Sequence, residues 1–452
     1  MSSPNPAAIT DWLTQHPDVT SLHAGIVDLN GTMRGKRLPV SQIRKLLGGK
    51  MRLPLSTCNV DIWGADIEGS PLVFESGDGD GQCVWTGRSE LPMSWLSEPS
   101  LLIPLSMQYD DGQPFFGDPR QVLNSVKLHL DAQKLKAVVA FELEFYLTEV
   151  RDGKPVAPRS PVTGEQPNSE SVYSLSDLEQ FDQFLNDVYT CCSLQNIPAD
   201  AALTENGAGQ FEINLLHGDD PLKAADDAVF FKRLIKGIAR KHGFVASFMA
   251  KPFTASSGSG MHVHFSMLDS DDNNIFDNGQ EDGTAELHHA VAGVLEGLAP
   301  CTALFAPHLN SYRRLEPETH APTQIAWGYE NRTAAIRIPG GPAAARRIEH
   351  RVPGADANPY LVLAAILGSA LQGLNRKQLP IEPLKGNAYT SSTAGIPSNW
   401  QDALSVFTSS PINKEIFPEP FLALFSACKQ QEINTFSRHM SAFEITSYLD
   451  VV

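Results

Sequence analysis

The sequence has no long apolar run, no paired-cysteine motif and no excess of positive charge, and each absence removes a class of protein. None of its hydrophobic stretches reaches the roughly 20 residues that a membrane-spanning helix needs. Met1-Ser2-Ser3-Pro4-Asn5 lacks the basic-then-apolar order of a secretory signal, so a cytoplasmic location is expected. Cysteine is sparse, and the six residues at 58, 83, 191, 192, 301 and 428 include no Cys-x-x-Cys pair. That spread fits reduced thiols used in packing, with none in a context that would activate a nucleophile. Lysine and arginine number 35 against 52 aspartates and glutamates, a formal charge of −17. Nucleic-acid binding needs a basic patch or stripe, and this balance speaks against it.

What is present describes a globular chain. Its 452 residues, 42% hydrophobic and 19% charged, exceed one ordinary core and predict a small and a large domain. Residues 21–109 read as short strands and turns, with a turn at Asn30-Gly31 followed by basic Arg34-Gly35-Lys36-Arg37. Gly77-Asp78-Gly79-Asp80-Gly81 reads as a loop, because the calcium-loop spacing with its terminal glutamate is missing. A boundary near Asp110-Asp111-Gly112-Gln113-Pro114 divides the chain into 1–112 and 113–452. Beyond it, Pro119 fits a first helical position, with Val122, Val126, Leu128 and Leu130 as the apolar stripe. Ser176 and Glu179 form a capping-box pattern ahead of a helix to about Leu194. A further helix spans about Pro221 to His242, stopped by Gly243. Asn358-Pro359-Tyr360 reads as another helix start, and 151–170 and 269–283 read as long loops. Helices around strands whose polar residues face one way predict an α+β fold with an open, mostly antiparallel sheet and a cleft.

Three segments repeat one habit: polar residues two apart in apolar surroundings, which in a strand share a face. Val138 to Tyr146 carries Glu142 and Glu144, and Gly260 to Phe265 carries His262 and His264. Arg347-Ile348-Glu349-His350-Arg351 puts Arg347, Glu349 and Arg351 together, either as a buried ion-pair triad or as a metal ligand between polyanion clamps. Between the first two lies Thr204 to Asn214, where Glu205 and Glu212 flank a glycine-rich turn. Glu142, Glu144, Glu205, Glu212, Glu349 and His262 make five carboxylates and one imidazole, a set that suits Mg²⁺ or Mn²⁺ better than zinc. Arg314, Arg332, Arg337, Arg347 and Arg351 crowd the same C-terminal stretch. Carboxylates, divalent ions and arginines are the parts that phosphoryl transfer requires. His264 reads equally as a ligand or a satisfied structural group, and Arg337 equally as a ligand contact or a loop tie.

Taken in order, the motifs carry a resemblance. They are Asp111-Gly112-Gln113-Pro114-Phe115 with Gly117-Asp118-Pro119-Arg120, Phe141-Glu142-Leu143-Glu144-Phe145 and Glu205-x6-Glu212. Gly258-Ser259-Gly260-Met261-His262-Val263-His264, Asn331-Arg332-x4-Arg337-Ile338-Pro339 and Arg347-Ile348-Glu349-x-Arg351 follow. Over essentially its full length the chain resembles the glutamine synthetase superfamily. The resemblance implies an N-terminal β-grasp domain over 1–112, a catalytic domain over 113–452, and a homo-dodecamer of two hexameric rings with sites between subunits. It implies ATP and glutamate as substrates. Glu142, His262 and Glu349 would hold a metal near the ATP phosphates, and Glu144, Glu205 and Glu212 one near the glutamate. Arg314 would grip the glutamate, which Gly258 and Glu144 also approach. Arg332 and Arg351 would flank the transferred phosphoryl group, while Ser266, Arg337 and Arg347 would serve the nucleotide.

Two departures stand out. Glutamine synthetases carry Phe-Asp-Gly-Ser-Ser, whose aspartate binds ammonium, where this chain reads Met51-Arg52-Leu53-Pro54-Leu55-Ser56-Thr57-Cys58. Their flap glutamate is replaced by His320 in Pro317-Glu318-Thr319-His320-Ala321-Pro322. Both losses fall on the ammonium site, so γ-glutamyl phosphate is expected to meet an organic amine, as in γ-glutamyl-polyamine and γ-glutamyl-amide synthetases. His320 would be a base near neutral pH or would only shape the flap. Trp63 and Trp327 are the expected apolar wall for the amine, and Glu316 and Glu318 the expected partners of a distal ammonium.

Overall fold

The computed structural model describes residues 6–167, 171–317 and 319–452. Two sheets organise them. The first contains, in spatial order, Met33–Pro39, Ser21–Val27, Ser100–Gln108, Asp80–Trp85 and Met51–Pro54, with Leu91–Pro92 pairing to Ser100–Gln108. Ser21–Val27 runs parallel to Ser100–Gln108, and its other neighbour is antiparallel. The second sheet has nine strands, with Lys136–Arg151 as its long central member. Met261–Leu268, Ile348–His350, Ile336–Ile338 and Trp327–Tyr329 extend it on one side, Gln210–Leu215 and Ala199–Thr204 on the other. Its last pair, Trp327–Tyr329 with Ile336–Ile338, is also parallel. The fold is mixed α+β, and both sheets are mixed where a mostly antiparallel one was expected. Short parallel pairs escape sequence reading because direction depends on how distant segments meet.

Alternation on the central strand explains the division between core and cleft. Ala137, Val139, Phe141, Leu143 and Phe145 are all at most 1% exposed, while Val138, Ala140, Glu142 and Glu144 face a cavity. The apolar face is covered in part by the helix Pro221–Lys241, which packs on Lys136–Arg151 and on the helix Pro359–Arg376. The Asp220 side chain caps that first helix, and Gly243 follows its end at φ +81°, as the sequence predicts.

Two helix starts also tie the first sheet to the rest. Asp118 accepts from Arg120 N at 2.8 Å, capping Pro119–Ala132, and its other oxygen accepts from Met107 N at 2.7 Å on strand Ser100–Gln108. Asn358 caps Pro359–Arg376 through Tyr360 N, while its amide donates to Asp28 O at 3.1 Å. Local capping and long-range docking thus use the same side chains.

Two helical details differ from expectation. Leu128 is 56% exposed, and Leu123 takes its place in the buried stripe with Val122, Val126 and Leu130. Ser176 is no cap: Ser174 accepts from Asp177 N, and the segment breaks at Phe181 into Leu175–Gln180 and Asp182–Leu194. Phe181 is 2% exposed, so burying its ring outweighs a continuous helix.

Candidate active site

Strand register assembles the site. Arg337 lies opposite Glu349, Glu349 opposite His264, His262 opposite Glu142, Glu142 opposite Asn214, and Glu144 opposite Glu212. One ladder across five strands therefore gathers residues separated by up to about two hundred positions in the chain. The ladder floors two adjoining cavities, of about 720 and 310 Å³. The larger holds Ser266, Arg347 and His264, together with Val138 and Ala140. The smaller holds Glu144, Glu205, Glu212, Gly258, His262, Arg314, His320, Arg332 and Arg351. Glu142 and Asn214 line both.

Among the described residues, three overlapping groups have ligand atoms within 4.8 Å of one another: Glu144, Glu205 and Glu212; Glu142, Glu212 and His262; and Glu142, His264 and Glu349. The first is the trio the sequence puts near the glutamate. The second trio expected, Glu142, His262 and Glu349, is divided, and His264 joins Glu142 to Glu349. His264 Nε2 lies 2.9 Å from Glu142 and His262 Nδ1 lies 3.1 Å from it. Arg347 Nε donates to His264 Nδ1 at 3.3 Å. Arg347 and Arg351 do not share a face around Glu349. The strand covers only Ile348–His350, and the guanidiniums on Glu349 are Arg337, at 2.7 Å, and Arg351. The backbone leaves strand geometry at either end, so period-two alternation fails at Arg347.

Burial and neighbouring charges set the protonation of the cleft. Burial, then the neighbouring Glu144 charge, push Glu205 up to about 7. Burial, then Glu144 and Glu142, push Glu212 up to about 9. Burial alone would raise Glu142, yet its bonds to His262 and His264 carry it well below the usual carboxylate range. Glu349, buried but held by Arg351, falls to about 2. Carboxylates this crowded and desolvated call for cations. Divalent ions with oxygen-rich shells fit the donor set.

Because a ligating carboxylate must be ionised, a cation held by Glu205 and Glu212 would expel protons. Both groups are raised, so apparent affinity for Mn²⁺ climbs as pH rises through about 7 toward about 9 and falls below that window. Calorimetry at pH 7.5 in buffers of different ionisation enthalpy should register about one proton released per protein. Heats independent of buffer would contradict the crowding.

Arg314 is 4% exposed and anchored by the Val352 carbonyl at 2.7 Å. Glycine is required beside it: a Cβ on Gly258 or Gly260 would sit 2.7 Å from Arg314 side-chain atoms. Gly260 N donates to Glu144 at 2.8 Å, so the glycine segment also orients a candidate ligand. His320 lies at the cavity's edge at φ +59°, a left-handed conformation uncommon for a side chain with a Cβ. Such strain concentrates at functional loops.

Trp327 does not form the amine wall expected of it. Trp327 is 2% exposed, with Nε1 donating to Ile381 O at 2.6 Å, and belongs to the core. Trp63 packs on Phe436 at 5.3 Å and lines neither cavity. Val172, Tyr173 and Leu203 supply the apolar side of the smaller cavity instead. Glu316 is exposed outside its lining, and Glu318 lies outside the described residues. Asn206, Tyr173 and Asn214 went unnoticed in the sequence. Asn214 was accessible to the same alternation rule, two residues beyond Glu212.

A mixed α+β chain with a carboxylate-lined cleft between two cavities is built as an enzyme. Residues 116–448 match the glutamine synthetase catalytic domain, and the chain belongs to the glutamine synthetase family. It is 39% identical over 440 residues to gamma-glutamylputrescine synthetase PuuA of Escherichia coli K12, covering 96% of this chain and 92% of that protein. It is 30% identical over 455 residues to a glutamate–isopropylamine ligase of Pseudomonas sp, covering 98% of each. The solved structure of GmaS with ADP superposes with a TM-score of 0.85 at 25% identity, covering 99% of this chain and 100% of that one. Enzymes of this family use ATP and divalent metals.

Proposed function

We propose that the chain is an ATP-dependent ligase that joins the γ-carboxyl of glutamate to an organic amine through γ-glutamyl phosphate. The observation that carries this is the flap, where His320 stands at the small cavity beside Arg332, while the carboxylates and Arg314 of the glutamate and phosphoryl side are all present. The amine relatives in Escherichia coli and Pseudomonas support the acceptor class, and a polyamine such as putrescine is favoured over a monoamine.

In this reading Ser266 and Arg347 serve the nucleotide in the large cavity, and Arg337, expected there but lining neither cavity, acts through its pairing with Glu349. Glu142, His262 or His264, and Glu349 hold one Mg²⁺ or Mn²⁺, and Glu144, Glu205 and Glu212 another. When bound, those ions neutralise phosphate oxygens. Arg314 pairs with a carboxylate of glutamate, with Gly258 and Glu144 beside it. Arg332 and Arg351 face the transferred phosphoryl group and stabilise its charge. The amine nitrogen attacks the γ-carbonyl carbon, the carbon–oxygen bond to phosphate breaks, and the amine proton passes to the His320 ring. Val172, Tyr173 and Leu203 shield the amine's carbon chain.

The proposal includes a β-grasp fold for 1–112, a catalytic domain for 113–452, cytoplasmic operation, and two stacked hexameric rings. Its test is ATP, Mg²⁺, glutamate and putrescine incubated with the chain, followed by mass analysis. A γ-glutamyl amide with ADP and phosphate in equal amounts is expected. ADP formed without need of glutamate would refute the ligase reading.

A further inference from the structure

Strands Lys136–Arg151 and Gln210–Leu215 place four side chains at the corners of a square, Glu142 opposite Asn214 and Glu144 opposite Glu212. Three corners are carboxylates and the fourth is a neutral amide. That amide lies where the two cavities meet, lining both, a place it shares among the described residues only with Glu142. Among the described residues no side-chain hydrogen bond reaches it, and its oxygen is buried without a partner. Buried polar atoms in folded proteins are nearly always paired, so an orphan at the junction of two cavities points to a ligand.

An amide differs from a carboxylate of the same shape in one respect that matters here. Its oxygen can face a cation or a cation's water, as a carboxylate does, while its NH₂ donates a hydrogen bond. Three carboxylates already supply negative charge for cations. A fourth at this corner would repel a phosphate chain arriving from the large cavity. The amide keeps the geometry, removes the repulsion and adds a donor.

We propose that Asn214 is a substrate-contacting residue where the nucleotide cavity opens into the carboxylate cleft, its NH₂ donating to a phosphate oxygen of ATP and its buried oxygen accepting from a water held at that corner. This rests on the ligase reading above and adds a residue that discriminates the charge state of the corner. In chemical terms the corner selects a polyphosphate and rejects a second carboxylate-like charge.

The experiment compares the parent chain with Asn214→Asp and Asn214→Ala, each checked by thermal melting. Two quantities are measured: Mn²⁺ affinity without nucleotide, and KM for ATP at saturating glutamate and amine. Asn214→Asp should bind Mn²⁺ at least as tightly as the parent, yet raise KM for ATP tenfold or more. Asn214→Ala, which removes the donor without adding charge, should raise it by a smaller factor. A KM for ATP within twofold of the parent in both variants overturns the proposal. So does an Asn214→Asp variant that loses Mn²⁺ and ATP together, because the residue would then act through the cation site. If the parent itself shows no glutamate-dependent turnover, the ligase reading fails. An active parent with unaffected variants removes this inference alone.

Discussion

Glu349→Gln should cut ATP- and glutamate-dependent phosphate release by about three powers of ten, the equivalent of roughly 4 kcal/mol of lost charge stabilisation. Glu349 is 1% exposed and sits against Arg337 at 2.7 Å and against Arg351, with Glu142 and His264 close enough to share a cation. Burial alone would raise its carboxyl, but Arg351, His264 and His262 together outweigh that cost and bring it down to about 2, so the ionised form is preferred. Glutamine keeps the shape and one acceptor but removes the charge that both guanidiniums and a cation require. Breaking a buried pair on one side costs on the order of 3–5 kcal/mol, so the variant should also melt lower. Arg351 lines the smaller cavity, and without its carboxylate partner its guanidinium would lose the contact that fixes it there. Steady-state phosphate release, near-UV circular dichroism and Mn²⁺ titration on one preparation separate chemistry from folding. A folded Glu349→Gln chain turning over near the parent rate would remove Glu349 from the reaction.

Putrescine should be preferred to ammonium in kcat/KM by about two powers of ten, the worth of burying its four methylenes. Each charged hydrogen bond to ammonium is worth roughly 1.5–3 kcal/mol, and two such partners are missing, at the first-sheet aspartate and the flap. At about 1.4 kcal/mol per tenfold, that loss lowers kcat/KM for ammonium by about two to four powers of ten relative to an enzyme that keeps both partners. An organic amine recovers part of it by burying methylenes at roughly 0.8 kcal/mol each against Val172, Tyr173 and Leu203. The comparison uses ammonium, putrescine, spermidine, ethanolamine and phenylethylamine at one ATP and one glutamate concentration. Should ammonium come out best, His320 and the missing aspartate are incidental and the chain is an ordinary glutamine synthetase.

How far the residues alone led can be followed at particular positions. Glu142 and Glu144 were legible because Phe141, Leu143 and Phe145 alternate with them, and the strand puts those rings in the core. The helix Pro221–Lys241 was legible because Pro221 and Gly243 are local signals that act within one turn, while the Asp220 cap emerged only in the structure. The break at Phe181 and the exposure of Leu128 were not, since both depend on which neighbours arrive from elsewhere.

The sequence by itself determined the residue types of the cleft, the strands and helices that bear most of them, and the chemistry those types can perform. Only the tertiary structure decided who faces whom. Glu349 meets Arg337 and His264 because three separate strands align in one register, while Arg347 turns into the other cavity past the strand end. Trp327 went to the core, and Tyr173 with Val172 and Leu203 took the wall expected of it. The physical reason is that alternation and capping are short-range and written in neighbouring residues. Register, burial and the raised carboxyls of Glu205 and Glu212 arise from segments far apart in the chain brought to within a few ångströms.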